Sequence, residues 1–391
     1  MKKYIILGLF TATSVLAAGG RSKLDDFWYN GTIAVCPGCS LNAVDLVGRD
    51  LRHAQLSKAR LDSADLLAAK LDFANLHGAS LASARLTYAS LNQATLNEAI
   101  LVNAALSYAQ LIKIDCRDCN AYGANFIETV ATEANFFNAN LQDTDFQNAN
   151  LGRADFQNAH LSRAKLNGAS LISANFKNAN LQLSRLVNAT VDFAVFKGAN
   201  LAQSNFKGAS ASKADFTEAD AQYANFFKAQ LDEANFTKTN LQHAYFVKAD
   251  LRGAIFTDAQ IKQVNFTGAN LLGAQGFDEH AEGIILCETI MPDGSQSDVQ
   301  CAQVTPLTTY LKNEEEQREK ALQKAKAKAQ EQPKQPVPQM YPGLSGQPSY
   351  GQPTTGMPTA PAVPIPGTPT NINPMTGQVM ANQAPSPIVV N

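Results

Sequence analysis

The chain has 391 residues, and 32 Lys and Arg against 34 Asp and Glu leave a net charge of −2, with 45% of residues hydrophobic. That balance excludes a whole-chain electrostatic footprint for nucleic acid or an anionic membrane. Composition is uneven, however: 14 of the 17 prolines fall between Pro333 and Pro387 and none lies between Pro37 and Pro292, so two unlike polymers share the chain.

The start of the chain reads as a secretory signal peptide over residues 1–17. Lys2 and Lys3 precede an apolar run from Tyr4 to Leu16, and Val15 and Ala17 supply small residues at the −3 and −1 positions of a cleavage site. The run is short for a bilayer span, so the expectation is export to the periplasm or the extracellular space with no stable membrane span after processing; an uncleaved anchor is the alternative. Residues 18–40 are assigned to an N-terminal cap with a short helix over 22–29. Ser22-Lys23-Leu24-Asp25 forms a helix-starting box, Phe27 and Trp28 are apolar, and Asn30-Gly31 is a stop signal.

From Leu41 to Leu271, every fifth residue is Leu (27) or Phe (13) at 40 of 47 positions, with the phase unbroken. Two residues before each of these, from Cys39 to Ala269, 36 of 47 positions are Ala, and most others are small, as at Thr144, Ser184, Ser204 and Thr239. A period of five suits neither regular element. Five helical steps of about 100° spread the Leu residues around the whole cylinder, and an odd step along a flat strand sends them to alternate faces. A chain that turns a corner every five residues points all of them inward, with Ala at a neighbouring inward site. The expectation is a solenoid over residues 41–275.

Units such as Ala139-Asn140-Leu141-Gln142-Asp143 and Ala199-Asn200-Leu201-Ala202-Gln203 resemble the A(D/N)LXX unit of the pentapeptide-repeat family. The resemblance runs over residues 39–275 and implies an all-β solenoid, a right-handed quadrilateral β-helix with 20 residues per coil. The phenylalanines test that coil length. All 13, from Phe126 to Phe266, fall on two opposite sides of a 20-residue square, and one side carries Phe at every coil from Phe136 to Phe256. The other two sides carry mainly Leu, as a close-packed interior with room for few rings requires. The array then makes about 12 coils, a rod of roughly 55–60 Å at ~4.8 Å per coil.

Six cysteines, an even count, suit disulfides in an oxidising compartment. Cys36/Cys39 and Cys116/Cys119 are Cys-x-x-Cys pairs four coils apart, roughly 19 Å at ~4.8 Å per coil, so they cannot share one metal ion. Each pair occupies inward phases across one corner, a geometry compatible with a local disulfide. Cys287 and Cys301 would then staple a C-terminal cap over 276–304, where Met291-Pro292-Asp293-Gly294 forms a turn between extended runs. The Cys-Pro-Gly-Cys opening and the Cys-Glu-Thr-Ile-Met-Pro-Asp-Gly closing segment resemble the ends of exported family members. A thioredoxin-like redox role for Cys36 and Cys39 is the alternative, although no βαβ pattern flanks them.

Catalysis finds no constellation: His53, His77, His160, His243 and His280 are scattered over the rod, and a filled interior leaves no concave pocket. No catalytic, cofactor-binding or metal-ligating residue is assigned, and no cofactor is expected. Among outward residues, Asn120, Asn140, Asn180, Asn200 and Asn240 share one column and are expected to form side-chain ladders. Tyr88 and Tyr108 should be adjacent, while Tyr223, Phe227, His243, Tyr245 and Val247 crowd the last coils. Tyr88, Tyr108, Tyr223, Phe227 and Tyr245 are therefore the candidate interface, with cover by a cap or the tail as the other reading. Some family members imitate DNA and bind type II topoisomerases, which takes an acidic rod in the cytoplasm. Here 21 acidic and 21 basic residues balance between 41 and 275, so that role is the weaker alternative and no nucleic-acid partner is expected.

Residues 305–334 read as a charged helix or stalk, with Glu314–Arg318 and Glu316–Lys320 at i,i+4. Residues 335–391 carry no charge and are rich in Pro, Gln, Gly and Thr, the composition of a disordered tail. The expected function is an exported non-enzymatic structural or interaction scaffold with a protein or cell-envelope partner, and end-to-end pairing of two rods remains open.

Overall fold

The computed structural model describes residues 35–301. The segments expected to form a signal peptide (1–17), a helix (22–29), a stalk (305–334) and a Pro-rich tail (335–391) lie outside the described residues. From Val35 onward, residues 20 apart form parallel bridges at every fifth position, from Val35↔Gln55 to Ile255↔Gln275. Four pentapeptides therefore complete one coil, and each coil lies on the next.

The unit Arg60-Leu61-Asp62-Ser63-Ala64 shows why five residues suffice. Ala64 N–H donates to the Leu61 carbonyl (3.0 Å), closing a turn. Ser63, the second corner residue, has φ of 57°, and this left-handed conformation recurs at every fifth residue, including His53, Tyr88 and Lys113. Such a corner is a type II turn, and for a non-glycine residue it costs about 1–2 kcal/mol. The flipped central peptide offsets that cost by pointing along the rod: Ser63 N–H reaches the Ala82 carbonyl of the next coil at 2.8 Å. Arg60 N–H meets the Cys39 carbonyl of the previous coil (2.8 Å) and Leu61 N–H the Ser80 carbonyl of the next (2.6 Å).

One amide per unit is left without a backbone acceptor, and a short side chain takes it. Asp62 N–H donates to Asn42 Oδ1 of the previous coil (3.1 Å). More often the acceptor lies two residues earlier, as Asn225 Oδ1 does for Phe227 N–H (2.9 Å). That amide is the physical reason for Asp or Asn before so many of the inward Leu and Phe residues, because an unpaired polar group at a packed surface is costly.

Inside, the Leu, Phe and Ala columns are almost wholly buried, with Leu61, Ala64, Phe156 and Phe196 at 0% exposure. Phe156 and Phe176 stack face to face at 4.8 Å and 3°, and Phe176 and Phe196 at 4.9 Å and 3°. Rings of the facing column meet them edge-on, as Phe206 meets Phe216 at 6.0 Å and 83°. Both geometries suit the aromatic quadrupole. Thr144 and Thr239, at Ala positions, bond the carbonyls of Leu141 (2.6 Å) and Phe216 (2.7 Å), whereas the buried Ser184 and Ser204 hydroxyls have no partner.

The limits at 41 and 275 mark the sequence motif; the coil register runs past both. Residues 35–40, read from sequence as cap, already follow the bridge pattern. Beyond Leu271 the Ala-x-Leu/Phe pattern ends, yet Phe266 N–H still meets the Ile285 carbonyl (2.9 Å) and Gly273 N–H the Pro292 carbonyl (2.9 Å). Gly276, at φ +66°, allows this: a Cβ there would sit 2.8 Å from Thr257 N. Phe277 turns its ring edge-on to Phe256 and Phe266 at 5.6 and 5.3 Å. Strand β1 (Leu286–Ile290) then pairs antiparallel with β2 (Gln296–Val299) after the Pro292-Asp293 turn.

Candidate interaction surfaces

Each side of a coil presents three outward positions: the residue before the inward Leu or Phe, the residue after it, and the left-handed corner residue. Corner residues project furthest. Tyr88 and Tyr108 occupy successive corners, with rings stacked at 5.0 Å and 16° and exposures of 60% and 40%. The Glu128 carboxylate, 3.5 Å from the Tyr108 hydroxyl, holds that phenol above its ordinary pKa. Tyr223 is likewise an exposed corner residue, stacked on His243 at 4.5 Å and 4°.

Phe227 and Val247 do not belong to the open surface expected of them. Both sit directly after an inward Phe, where side chains lie along the rod, and their exposures are 8% and 4%. The ammonium groups of Lys207 and Lys228 lie 5.3 and 5.1 Å from the Phe227 ring centroid, two cations against one aromatic ring. Tyr245, in a bridge position, is half-buried. Sequence reasoning missed the His53–Phe73 stack (5.0 Å) and the exposed Ile172, Leu183 and Phe193. Phe73, Leu183 and Phe193 stand at the corner phase, a signal that was present in the period.

The asparagine ladder is also corrected. Asn140 Nδ2 does donate to Asn120 Oδ1 (3.0 Å), but the Oδ1 atoms of Asn180, Asn200 and Asn240 accept the amides of Gln182 (3.1 Å), Ala202 (3.1 Å) and Gln242 (3.3 Å). The local backbone amide is the acceptor's constant partner in this column, and at Asn120 the ladder bond is added to it, because Oδ1 also accepts Tyr122 N–H (3.2 Å).

The cysteine pairs Cys36/Cys39, Cys116/Cys119 and Cys287/Cys301 have Cα separations of 5.5, 5.2 and 4.8 Å, within disulfide span. Cys116 and Cys119 are buried, whereas Cys36 and Cys39 are partly exposed in the first described coil. Cys287, Asp298 and Cys301 bring potential ligand atoms within 4.8 Å of one another, but two of the three are a facing cysteine pair.

Surface charge is organised in pairs. Arg52–Asp50 (2.6 Å), Arg117–Asp115 (2.7 Å) and Arg163–Asp143 (2.6 Å) are hydrogen-bonded, and each guanidinium holds its carboxyl below the usual carboxylate range. These pairs are half-exposed and contribute little individually. A shallow depression of about 310 Å³ opens on the side that carries Gln147, Asn148, Gly168 and Arg185. Among the described residues no helix is long and apolar enough to cross a membrane.

These residues define a parallel β-solenoid with a filled interior and open outer columns. The chain belongs to the pentapeptide-repeat family: the family's model of a pentapeptide repeat region matches residues 99–176 and 159–236, and its model of eight pentapeptide copies matches 39–78, 79–115 and 234–273. Similar solved structures include HetL, a pentapeptide repeat protein involved in heterocyst differentiation regulation from the cyanobacterium Nostoc sp. strain PCC 7120, at 25% identity over 67% of this chain and 92% of that one, TM-score 0.34. A pentapeptide repeat protein of the Arabidopsis thaliana thylakoid lumen is 32% identical over 28% of this chain and 75% of its own, TM-score 0.24. Full-length QnrB1, a plasmid-mediated fluoroquinolone resistance protein, is 19% identical over 48% of this chain and 91% of its own, TM-score 0.25. None of the curated proteins matches the chain.

Proposed function

We propose that the protein is an exported, non-enzymatic structural or interaction scaffold. It is a right-handed quadrilateral β-helix of about 12 coils, oxidised at Cys36–Cys39, Cys116–Cys119 and Cys287–Cys301, and displayed or tethered through its Pro-rich C-terminal segment. The observation that carries this reading is the filled interior: the inward Leu, Phe and Ala columns are buried along the array, so chemistry is confined to outward columns. Catalysis needs convergent groups in a concave site that excludes water, and a convex rod spreads its polar groups apart. Its partner is a protein or a cell-envelope component that reads those columns.

Intact-mass and thiol-labelling mass spectrometry on fractionated source cells tests the reading. The expected result is protein cleaved after Ala17, outside the cytoplasm, with all six cysteines protected. Unprocessed, reduced protein in the cytoplasm would overturn export and revive the topoisomerase alternative. A Cys36 or Cys39 thiol that labels and cycles would favour the redox alternative.

A further inference from the structure

One side of the solenoid separates its charges along the axis. It is the side whose inward column runs Leu46, Leu66, Leu86, Leu106, Phe126 and on to Phe266. Its outward residues from Asp45 to Asn148 include Asp45, Asp65, Glu128 and Asp145 against Arg85 alone. From Lys165 to Gly268 the same columns carry Lys165, Arg185, Lys207, Lys228 and Lys248 and no acid. Elsewhere signs interleave, as Asp192, Lys213, Asp232 and Arg252 do on the adjacent side. Among the described residues, Arg185, Lys228 and Lys248 have no carboxylate within ion-pair distance.

We propose that this side is the interface of an antiparallel, side-by-side dimer in which a second copy of the chain is the partner. A surface that is acidic in one half and basic in the other complements itself when turned end for end, which is the condition for an isologous two-fold contact. A two-fold axis lying across the face at the coil of Lys165 and Gly168 keeps each column opposite itself. It sets Tyr108 opposite Lys228 and Tyr88 opposite Lys248, two ammonium groups against the exposed tyrosine stack. The same axis sets Asp145 opposite Arg185, Arg85 opposite Tyr245, and Glu128 beside Lys207. Lys165 falls on the axis, where Asp145 already neutralises it at 3.1 Å. The shallow depression between Asn148 and Arg185 also lies there. From Arg85 to Lys248 the strip spans nine coils, about 40 Å at ~4.8 Å each, so the contact is at the small end of specific interfaces and depends on salt.

This inference deepens the scaffold reading, and the two fail separately: a monomer overturns the dimer and leaves the scaffold standing. Sedimentation velocity on the full chain over about a hundredfold concentration range should show a monomer–dimer equilibrium at low salt that dissociates at high salt. Lys228→Glu with Lys248→Glu should weaken it by about tenfold or more. Asp145→Arg alone and Arg185→Asp alone should each weaken it, and the two together should restore it, with a cooperative thermal transition showing that every variant is folded; the Asp145→Arg variants should melt somewhat lower, because Asp145 is also the acceptor of Gln147 N–H. Restoration specifies the antiparallel register, because neither an end-to-end contact nor a parallel one sets these two residues opposite each other. A chain monomeric throughout, or a dimer indifferent to all these substitutions, would overturn the proposal. So would a monomer retained on heparin through Lys228 and Lys248, which reassigns the basic half to an anionic polymer.

Discussion

At the scale of single residues, the repeat is an answer to one unmet amide. Replacing Asn225 by Ala removes the acceptor of Phe227 N–H and should cost about 1 kcal/mol in chemical denaturation, with Asn225→Asp close to neutral because it keeps the acceptor. Ser184 and Ser204 make the opposite case. Each places a hydroxyl without a partner in an Ala column, so Ser184→Ala and Ser204→Ala should each raise stability by about 1 kcal/mol. Protonation adds a third test. The carboxyls of Asp50, Asp115 and Asp143 are held below their unfolded values by Arg52, Arg117 and Arg163, so their stabilisation is present above the unfolded pKa. It is lost as the pH falls below about 4. Melting temperature should drop along that acid limb, and the limb should be shallower in a variant carrying Arg117→Gln and Arg163→Gln.

Elements here are coils, and each is held by the coils next to it. Phe196 contacts Phe176 and Phe216 face to face and Phe206 edge-on, so it serves three coils at once. Phe196→Ala should cost about 3–5 kcal/mol, and hydrogen exchange should show protection falling first in the coils either side of it. Much of this level was legible in advance: the two phenylalanine sides and the 20-residue coil follow from period alone. The end of the array was not. Gly276 and Phe277 break the motif by one residue, and only the packing of Phe277 on Phe256 and Phe266 reveals that the register resumes at Ile285.

For the whole molecule, a strict period settles what faces inward because every inward residue meets the same environment. Within the described coils, the length of the coil and the identity of the core therefore follow from the spacing of Leu, Phe and Ala. Tertiary structure alone decided the outer surface. Phe227 reads as an exposed aromatic until Lys207, 20 residues earlier, and Lys228 are seen lying over it, and the asparagines read as a ladder until the backbone amide beside each is counted. Tyr88 and Tyr108 stay open because they stand at left-handed corners; the period marks their phase, and the turn's backbone conformation makes that phase the exposed one. The reason is geometric: an outward residue is covered or paired by neighbours a full coil away, such as Lys207, and by neighbours one or two residues on, such as Lys228 and the Gln182 amide, and which of them reaches it depends on the turn each side chain leaves.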